Sequence, residues 1–555
     1  MYKEAKTFKG FEYLFHQVQM NLKMHFVCFT CLFFLHLSVP ALYLIFFEPK
    51  AVGLLLNSVL SFRFDYLLII VKYLIRKIWV IFILATPVWL LYPVLLGVFK
   101  NKAKVITRDE HIRGSRLISD VELIKAIQKE VGDKKQGLLY LGRVPVPPQA
   151  ENRHFLIVGR PGTGKTTLLN QVIEKLRQRG GKALIYDFKG DYLSYFYDPK
   201  TDHIFNPLDE RCVHWCLFSE IEMVPDIDSI ATSMIPPSYR EDKFWVDAAR
   251  DVFSFIIYYL QITGDRTNDA IWDLVSCTEP EMLSLASHAA EQGIEVAKRA
   301  LGYLQGYEKG SKVGSDVLAT MRQYTNCFYY MRHLRSEFSV KRWLDSDEPG
   351  FLFVTNYANL RDTLRPILSL IIDLTMKHIL SMPEDIFRRR FIILDEFASL
   401  QRLTSIVQCL EQGRSKGASV WLALQDISQL QKLYSSETAY TITNNCNTSL
   451  SFAVSDPNSQ EYLSRLFGER EILETNESLS MGPSDLRDGL TLQRRRRKEP
   501  LLLPSQFGSL PDFHFYLKML SYPVVQSKVQ WRGFEKRAAS LILNQCFSIP
   551  SSDEV

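Results

Sequence analysis

The sequence predicts an α/β fold carried behind two transmembrane helices. Three observations predict it. Residues 26–47 and 78–99 each run for 22 positions without Asp, Glu, Lys or Arg. Residues 154–178 place an apolar run, a glycine-rich turn and an amphipathic stretch in succession. Residues 390–400 place a second apolar run directly before Asp395 and Glu396. Composition agrees with a folded core. Of 555 residues 47% are hydrophobic, and the 27 Gly and 24 Pro exclude a collagen-like or disordered chain. The net charge of +5 does not mark a nucleic-acid binder, because that needs a local patch. Nine cysteines in so long a chain are no disulfide framework.

Residues 1–99 form the expected anchor. Each apolar run, as a helix, is about 33 Å long, enough for the hydrocarbon core. Pro87 and Pro93 suit a membrane span better than a soluble helix. The first run is too long, and Ser38, Pro40 and Ala41 too poor a cleavage signal, for a signal peptide. Residues 48–77 between the runs are expected to face the periplasm, with FDYLLIIVKYLI as an interfacial helix, since Lys72 interrupts it. Basic residues flank both outer ends (Lys3, Lys6, Lys9, Lys23; Lys100, Lys102, Lys104, Arg108), which puts both termini in the cytoplasm. His36 lies mid-span and is expected to face the partner helix, a proton-relay role being the alternative.

HFLIV at 154–158 reads as a buried strand. Gly159-Arg-Pro-Gly162-Thr163-Gly164-Lys165-Thr166-Thr167 follows, then LLNQVIEKLRQR as a helix. Glycines let backbone amides turn toward phosphates, and the helix start adds positive potential. Lys165 is expected at the β- and γ-phosphates of a nucleotide, and Thr166 on Mg²⁺. Asp395, at the end of strand RFIIL, is the second expected Mg²⁺ partner, and Glu396 is a candidate general base for water. ASVWLAL at 418–424 is a third strand. It ends at Gln425, placed to contact the γ-phosphate or water. Arg414 lies just upstream, in GRSKG; the pattern alone reads as an ordinary surface charge, with completion of a neighbouring subunit's site as the alternative.

With these motifs the chain resembles the type IV secretion coupling proteins of conjugation systems, especially the TraD-like members. Further marks are LGRVPVP, IYDFKGDY at 185–192, FNPLDERCVHW at 205–215, DKFWVDAAR at 242–250, LQDISQL at 424–430, YTITNNCNTSLSFAVSDPNS and FGERE at 467–471. The resemblance implies a membrane-anchored, hexameric, RecA-like P-loop ATPase using ATP and Mg²⁺. It implies recruitment of relaxase-bound single-stranded DNA to a secretion channel at the bacterial inner membrane. It implies a RecA-like domain over 100–216 and 321–537, an inserted all-α domain over 217–320, and a short tail over 538–555. Gln425 falls on the family's sensor position and Arg414 on its inter-subunit arginine. TraD-like members often carry a long polar tail that docks the DNA-processing complex. This chain ends at SSDEV, so the helical domain is expected to carry more of the recognition.

Other readings are a duplex DNA translocase of the FtsK type, a coupling ATPase for protein effectors, and a non-catalytic membrane receptor. The intact GKT and Asp-Glu pairs oppose the last. QRRRRKE, with Arg494 to Arg497 and Lys498, is a loop-like basic run that could track phosphates or remain solvated. Cys212-Val-His-Trp-Cys216 lacks a second Cys/His pair, so these are expected as structural cysteines rather than zinc ligands.

Overall fold

Short apolar runs bounded by turn residues form the sheet here, and longer runs with helical periodicity cover it. The computed structural model describes residues 4–47, 49–61, 64–98, 110–132, 137–237, 243–305, 312–480 and 489–547. The strands are β1 (Glu110–Gly114), β2 (Leu117–Ser119), β3 (Leu139–Leu141), β4 (Val144–Val146), β5 (Phe155–Val158), β6 (Lys182–Asp187), β7 (His203–Phe205), β8 (Gly350–Thr355), β9 (Arg390–Leu394), β10 (Ala418–Leu424), β11 (Thr448–Ser451), β12 (Glu469–Ser480), β13 (Gly489–Pro500), β14 (His514–Met519) and β15 (Val524–Lys528). The chain divides into two compact units: Met1–Ile112 with Glu471–Arg497, and Arg113–Arg470 with Lys498–Val555.

In the first unit, helices Glu4–Phe47, Pro49–Leu60 and Phe64–Leu84 precede a 3-10 turn at Thr86–Leu91. Two stretches are long and apolar enough to cross a membrane, Asn21–Phe47 and Leu68–Val98, and both are mostly exposed. The second therefore starts ten residues before the expected 78. The stretch expected as a separate interfacial helix is the beginning of one helix that runs to Leu84. No Pro or Gly interrupts that run, so its backbone ladder continues until Pro87, which has no amide to donate. The expected 48–77 loop contains two helices accordingly. His36 does face the second stretch: its Nδ1 lies 3.1 Å from the Ala85 carbonyl, at the helix break. A carbonyl only accepts, so Nδ1 carries the proton. Phe99, Lys100, Lys102, Lys104 and Arg108 lie outside the described residues. The basic run of 494–498 stands on strand β13, not in a loop. Arg495 to Lys498 are exposed, and Arg497 meets Glu474 at 3.6 Å; the Arg494 side chain lies outside the described residues.

The second unit is built on a ten-stranded sheet of order β2-β15-β14-β11-β5-β10-β9-β6-β8-β7. Strands β11, β5, β10, β9, β6, β8 and β7 run parallel. The central strands β5, β9 and β10 are buried along their whole length, which is why they read as nearly continuous apolar runs. β10 lies between β5 and β9, with Leu424 beside Val158 and Leu422 beside Leu394. This single intervening strand brings the residues after β5 and after β9 to one carboxyl edge.

Between β7 and β8 the chain is helical, from the 3-10 turn at Leu217–Glu220 through helices Val224–Met234, Lys243–Thr263, Asn268–Ser276, Glu279–Glu291, Glu295–Leu304 and Val313–Thr325 to Val340–Asp345. The expected limit at residue 320 falls inside one of these helices. The stretch read as one periodic segment at 279–304 is two helices, since Gly293 takes φ +85° between them. Thr278 and Glu281 close the first with a capping box. Cys212 and Cys216 are buried and their thiols donate to the Val213 and Arg266 carbonyls. Burial pushes the Cys212 thiol up to about 12, the behaviour of a packed cysteine. The described part of the expected tail is laid along the sheet domain: Glu210 N–H donates to Ile542 O at 2.8 Å and Asn544 N–H to Leu208 O at 2.9 Å.

Candidate functional site

The glycine turn leaves β5 and is pinned on both sides. Gly159 N–H donates to Leu424 O at 3.1 Å, Arg160 N–H to Ala453 O at 2.8 Å, and Phe513 N–H to Thr163 O at 2.9 Å. Gly159 must lack a side chain, because a Cβ there would lie 2.6 Å from Phe452 Cβ. Gly164 holds φ +111° at the start of helix Lys165–Gln178, with no side chain capping the first turn. The first amides of that helix are thus left for an anion, the condition a phosphate cradle requires. Gly162, at φ +81°, borders open space. Lys165 is buried and its Nζ donates to the carbonyls of Gly159 and, at 3.3 Å, Arg160. Burial pulls its pKa down, while Asp395 and Glu396 pull it up. The lysine is therefore in electrostatic contact with the acidic pair, 230 positions away in sequence.

Asp395 follows β9, and its amide donates to Tyr186 O at 3.3 Å. Burial raises its pKa, opposed by a hydrogen bond from Tyr192 and by Lys165. The Tyr192 hydroxyl donates to Asp395 Oδ2 at 3.0 Å and also meets the Thr166 side chain. One hydroxyl thus spans the two residues expected to hold Mg²⁺, so that donor set fits a divalent ion bound to nucleotide phosphates. Glu396 takes φ +59°, a left-handed conformation uncommon outside glycine. Its Oε2 accepts from Gln425 Nε2 at 2.8 Å. Both residues line a cavity of about 400 Å³.

Tyr192 and Asp187 received no role from the sequence. Asp187 ends β6 and is buried, accepting from the amides of Gly190 (2.8 Å), Asp191 (3.1 Å) and Leu193 (2.8 Å). It caps the short helix that carries Tyr192 into place. Burial pushes its pKa up to about 7. The signal was present as IYDFKGDY, where an acidic residue at a strand end precedes a Gly turn, but nothing local says which strand lies alongside.

Arg414 is not brought to the other site residues of its own chain. It lies on the 3-10 turn Gly413–Lys416 that precedes β10, at the amino edge of the sheet, with an exposed side chain. β10 separates it from Gln425 by about 23 Å at strand rise. Its carbonyl accepts from Asn152 Nδ2 at 3.3 Å.

The family of type IV secretion-system coupling protein DNA-binding domains matches residues 138–530. The chain is 26% identical over 489 residues to the coupling protein TraD of Escherichia coli strain K12, covering 85% of this chain and 66% of that protein. It is 23% identical over 358 residues to a conjugal transfer protein TraG of Escherichia coli, covering 58% of this chain and 55% of that one. It thus spans about two thirds of TraD's length and about half of TraG's. Among solved structures, the bacterial conjugative coupling protein TrwBdeltaN70 superposes with a TM-score of 0.67 at 26% identity, over 78% of this chain and 97% of that one. The plasmid coupling protein TrwB in complex with ADP and Mg²⁺ gives 0.67 at 25% identity, over 79% and 98%. The second unit has the same RecA-like fold, with a helical segment between its strands. By the extent of the family match and the site it encloses, the chain belongs to the type IV secretion-system coupling protein family.

Proposed function

We propose that this protein is a membrane-anchored ATPase that couples ATP hydrolysis to the movement of single-stranded DNA, with its bound relaxase, toward a type IV secretion channel. The observation that carries the reading is the convergence of Lys165, Thr166, Asp395, Glu396 and Gln425 on one sheet edge. The amides after Gly162 and the Lys165 ammonium bind the β- and γ-phosphates of ATP. Thr166 and Asp395 hold Mg²⁺, which neutralises charge on those phosphates. Tyr192 orients Asp395. Glu396 accepts the proton of the attacking water, and Gln425 fixes the carboxylate that does so. The nucleotide and Mg²⁺ bound by TrwB support the choice of ligands, and the conjugal relatives support the cargo.

The exposed apolar stretches Asn21–Phe47 and Leu68–Val98 cross the inner membrane, and the basic flanks keep both termini in the cytoplasm. Arg414 lies at the far edge of the sheet, so it acts on the nucleotide of a second copy, as a ring of subunits, a hexamer in this reading, provides. The test is steady-state ATP hydrolysis by the detergent-solubilised full chain. Mg²⁺-dependent turnover stimulated by single-stranded DNA is expected. Absence of Mg²⁺-dependent turnover contradicts the reading, and stronger stimulation by duplex favours a duplex translocase.

A further inference from the structure

The cavity lined by Glu396 and Gln425 continues into a second one, and together they form a groove. The cavity of about 400 Å³ beside this pair adjoins a second of about 280 Å³, with Lys432 and Leu433 lining both. Among the described residues, four cations line the two cavities, Arg361 and Lys432 in the first and Arg365, Arg402 and again Lys432 in the second, while Glu396 at the inner end supplies the one lining carboxylate. Arg361 and Arg365 stand one turn apart on helix Arg361–Ser381, about 6 Å along its axis. Arg365 has Asp362 at 4.0 Å, a loose pair whose acid is 90% exposed. Arg402 donates to the Pro237 carbonyl at 3.1 Å. An aromatic ring stands at each end: Phe188, under the Arg361 guanidinium at 4.8 Å, and Tyr324.

The groove floor is mechanically joined to the hydrolysis pair. Gln425 leads through the Asp426 cap into helix Ile427–Tyr434, which carries Lys432. The Tyr434 hydroxyl accepts from Leu403 N–H at 2.8 Å, and its ring stacks on Phe397 at 5.7 Å. The helix that presents Lys432 is thus bound to the loop that follows Glu396. A row of cations with one carboxylate at its end attracts a polyanion. Both rings are half-buried against the core, so they wall the groove, and the choice of a single strand over a duplex comes from the functional reading.

Resting on the functional reading above, we propose that this groove holds the backbone of a single nucleic-acid strand, with phosphates on Arg361, Arg365, Arg402 and Lys432. The strand then lies against the same helix that positions Gln425 on Glu396.

The test is anisotropy of a fluorescein-labelled oligothymidine titrated with the detergent-solubilised full chain across a salt series. Each phosphate contact on a single strand contributes about 0.7 to the slope of log K against log salt. Arg365→Ala combined with Lys432→Ala is therefore expected to weaken binding and flatten the slope by ~1.4. Arg465→Ala, an exposed cation on helix Pro457–Phe467, is the off-groove comparison and is expected to keep the parental slope. Thermal unfolding identifies a variant that has not folded; Arg361→Ala with Lys432→Ala then serves as the second pair. Parental affinity and slope in a folded double variant overturn the groove and leave the functional reading standing. A parent that hydrolyses ATP but binds no strand overturns the DNA reading itself. Tighter binding of duplex overturns the single-strand assignment.

Discussion

Gln425 Nε2 donates to Glu396 Oε2 at 2.8 Å, joining the ends of two neighbouring parallel strands. The bond fixes a carboxylate that the left-handed backbone at Glu396 has already turned out of the strand direction. Glu396→Gln should lower kcat about 10²–10⁴-fold, the usual worth of a positioned acid or base, and keep nucleotide affinity. Gln425→Ala loses one orienting hydrogen bond, worth about 1 kcal/mol, and should lower kcat by about tenfold or less. Separate measurement of kcat and KM decides: lost affinity with kcat retained contradicts both roles.

Lys165→Ala should bring turnover to background and weaken nucleotide binding, because the cradle loses its charge on the phosphates. Membrane insertion should be unchanged, as the apolar helices end before residue 100. Binding of a fluorescent ATP analogue, with membrane fractionation in parallel, checks both halves. Parental hydrolysis in this variant would remove the phosphate cradle from the mechanism.

Arg414→Ala should lose turnover while binding nucleotide normally, since Arg414 stands on the opposite sheet edge from its own chain's glycine turn. Mixing it with Lys165→Ala should restore part of the activity, because some borders then pair an intact cradle with an intact arginine. Mixed assemblies no more active than either parent would show that Arg414 has no role in a neighbour's site.

His154 begins the strand that leads to the cradle. It is buried, accepts from Val420 N–H at 3.2 Å, and burial holds its pKa down at about 4, against 6.5 for an ordinary histidine. The unfolded chain therefore binds more protons between these values. Stability from a neutral His154 is fully present above pH 6.5 and is lost as pH falls through 4. Asp187, raised to about 7, acts in the opposite sense over much of that interval. The readout is therefore a difference. Urea unfolding from pH 7 to pH 4 should show that His154→Asn loses less stability than the parent. An identical pH dependence in the two would mean that His154 does not titrate on unfolding.

Strands β5, β9 and β10 were legible because a parallel strand covered on both faces is apolar at nearly every position, Arg390 and Ser419 being the polar exceptions here. The glycine turn was legible because Gly159 meets Phe452 too closely for any side chain and Gly164 needs a positive φ. Residues 64–75 read as a separate helix because Lys72 interrupts an apolar average, but it does not interrupt a helix, and the backbone runs on to Leu84 just before Pro87. The basic run at 494–498 read as a loop because a row of arginines carries no alternation, yet it pairs within a sheet.

Taken alone, the amino-acid order determined the membrane-length helices, the buried strands, the glycine turn and the candidate residues around it. These are local properties: hydrophobic period, glycine placement and a strand followed by acids. Only the tertiary structure decided which of them meet. It set Tyr192 between Thr166 and Asp395, laid Gln425 on Glu396, sent Arg414 to the far edge and lined Arg361 up with Lys432. Parallel strands are joined by long crossovers, so their order in the sheet is chosen by packing across hundreds of residues rather than by any short stretch of chain.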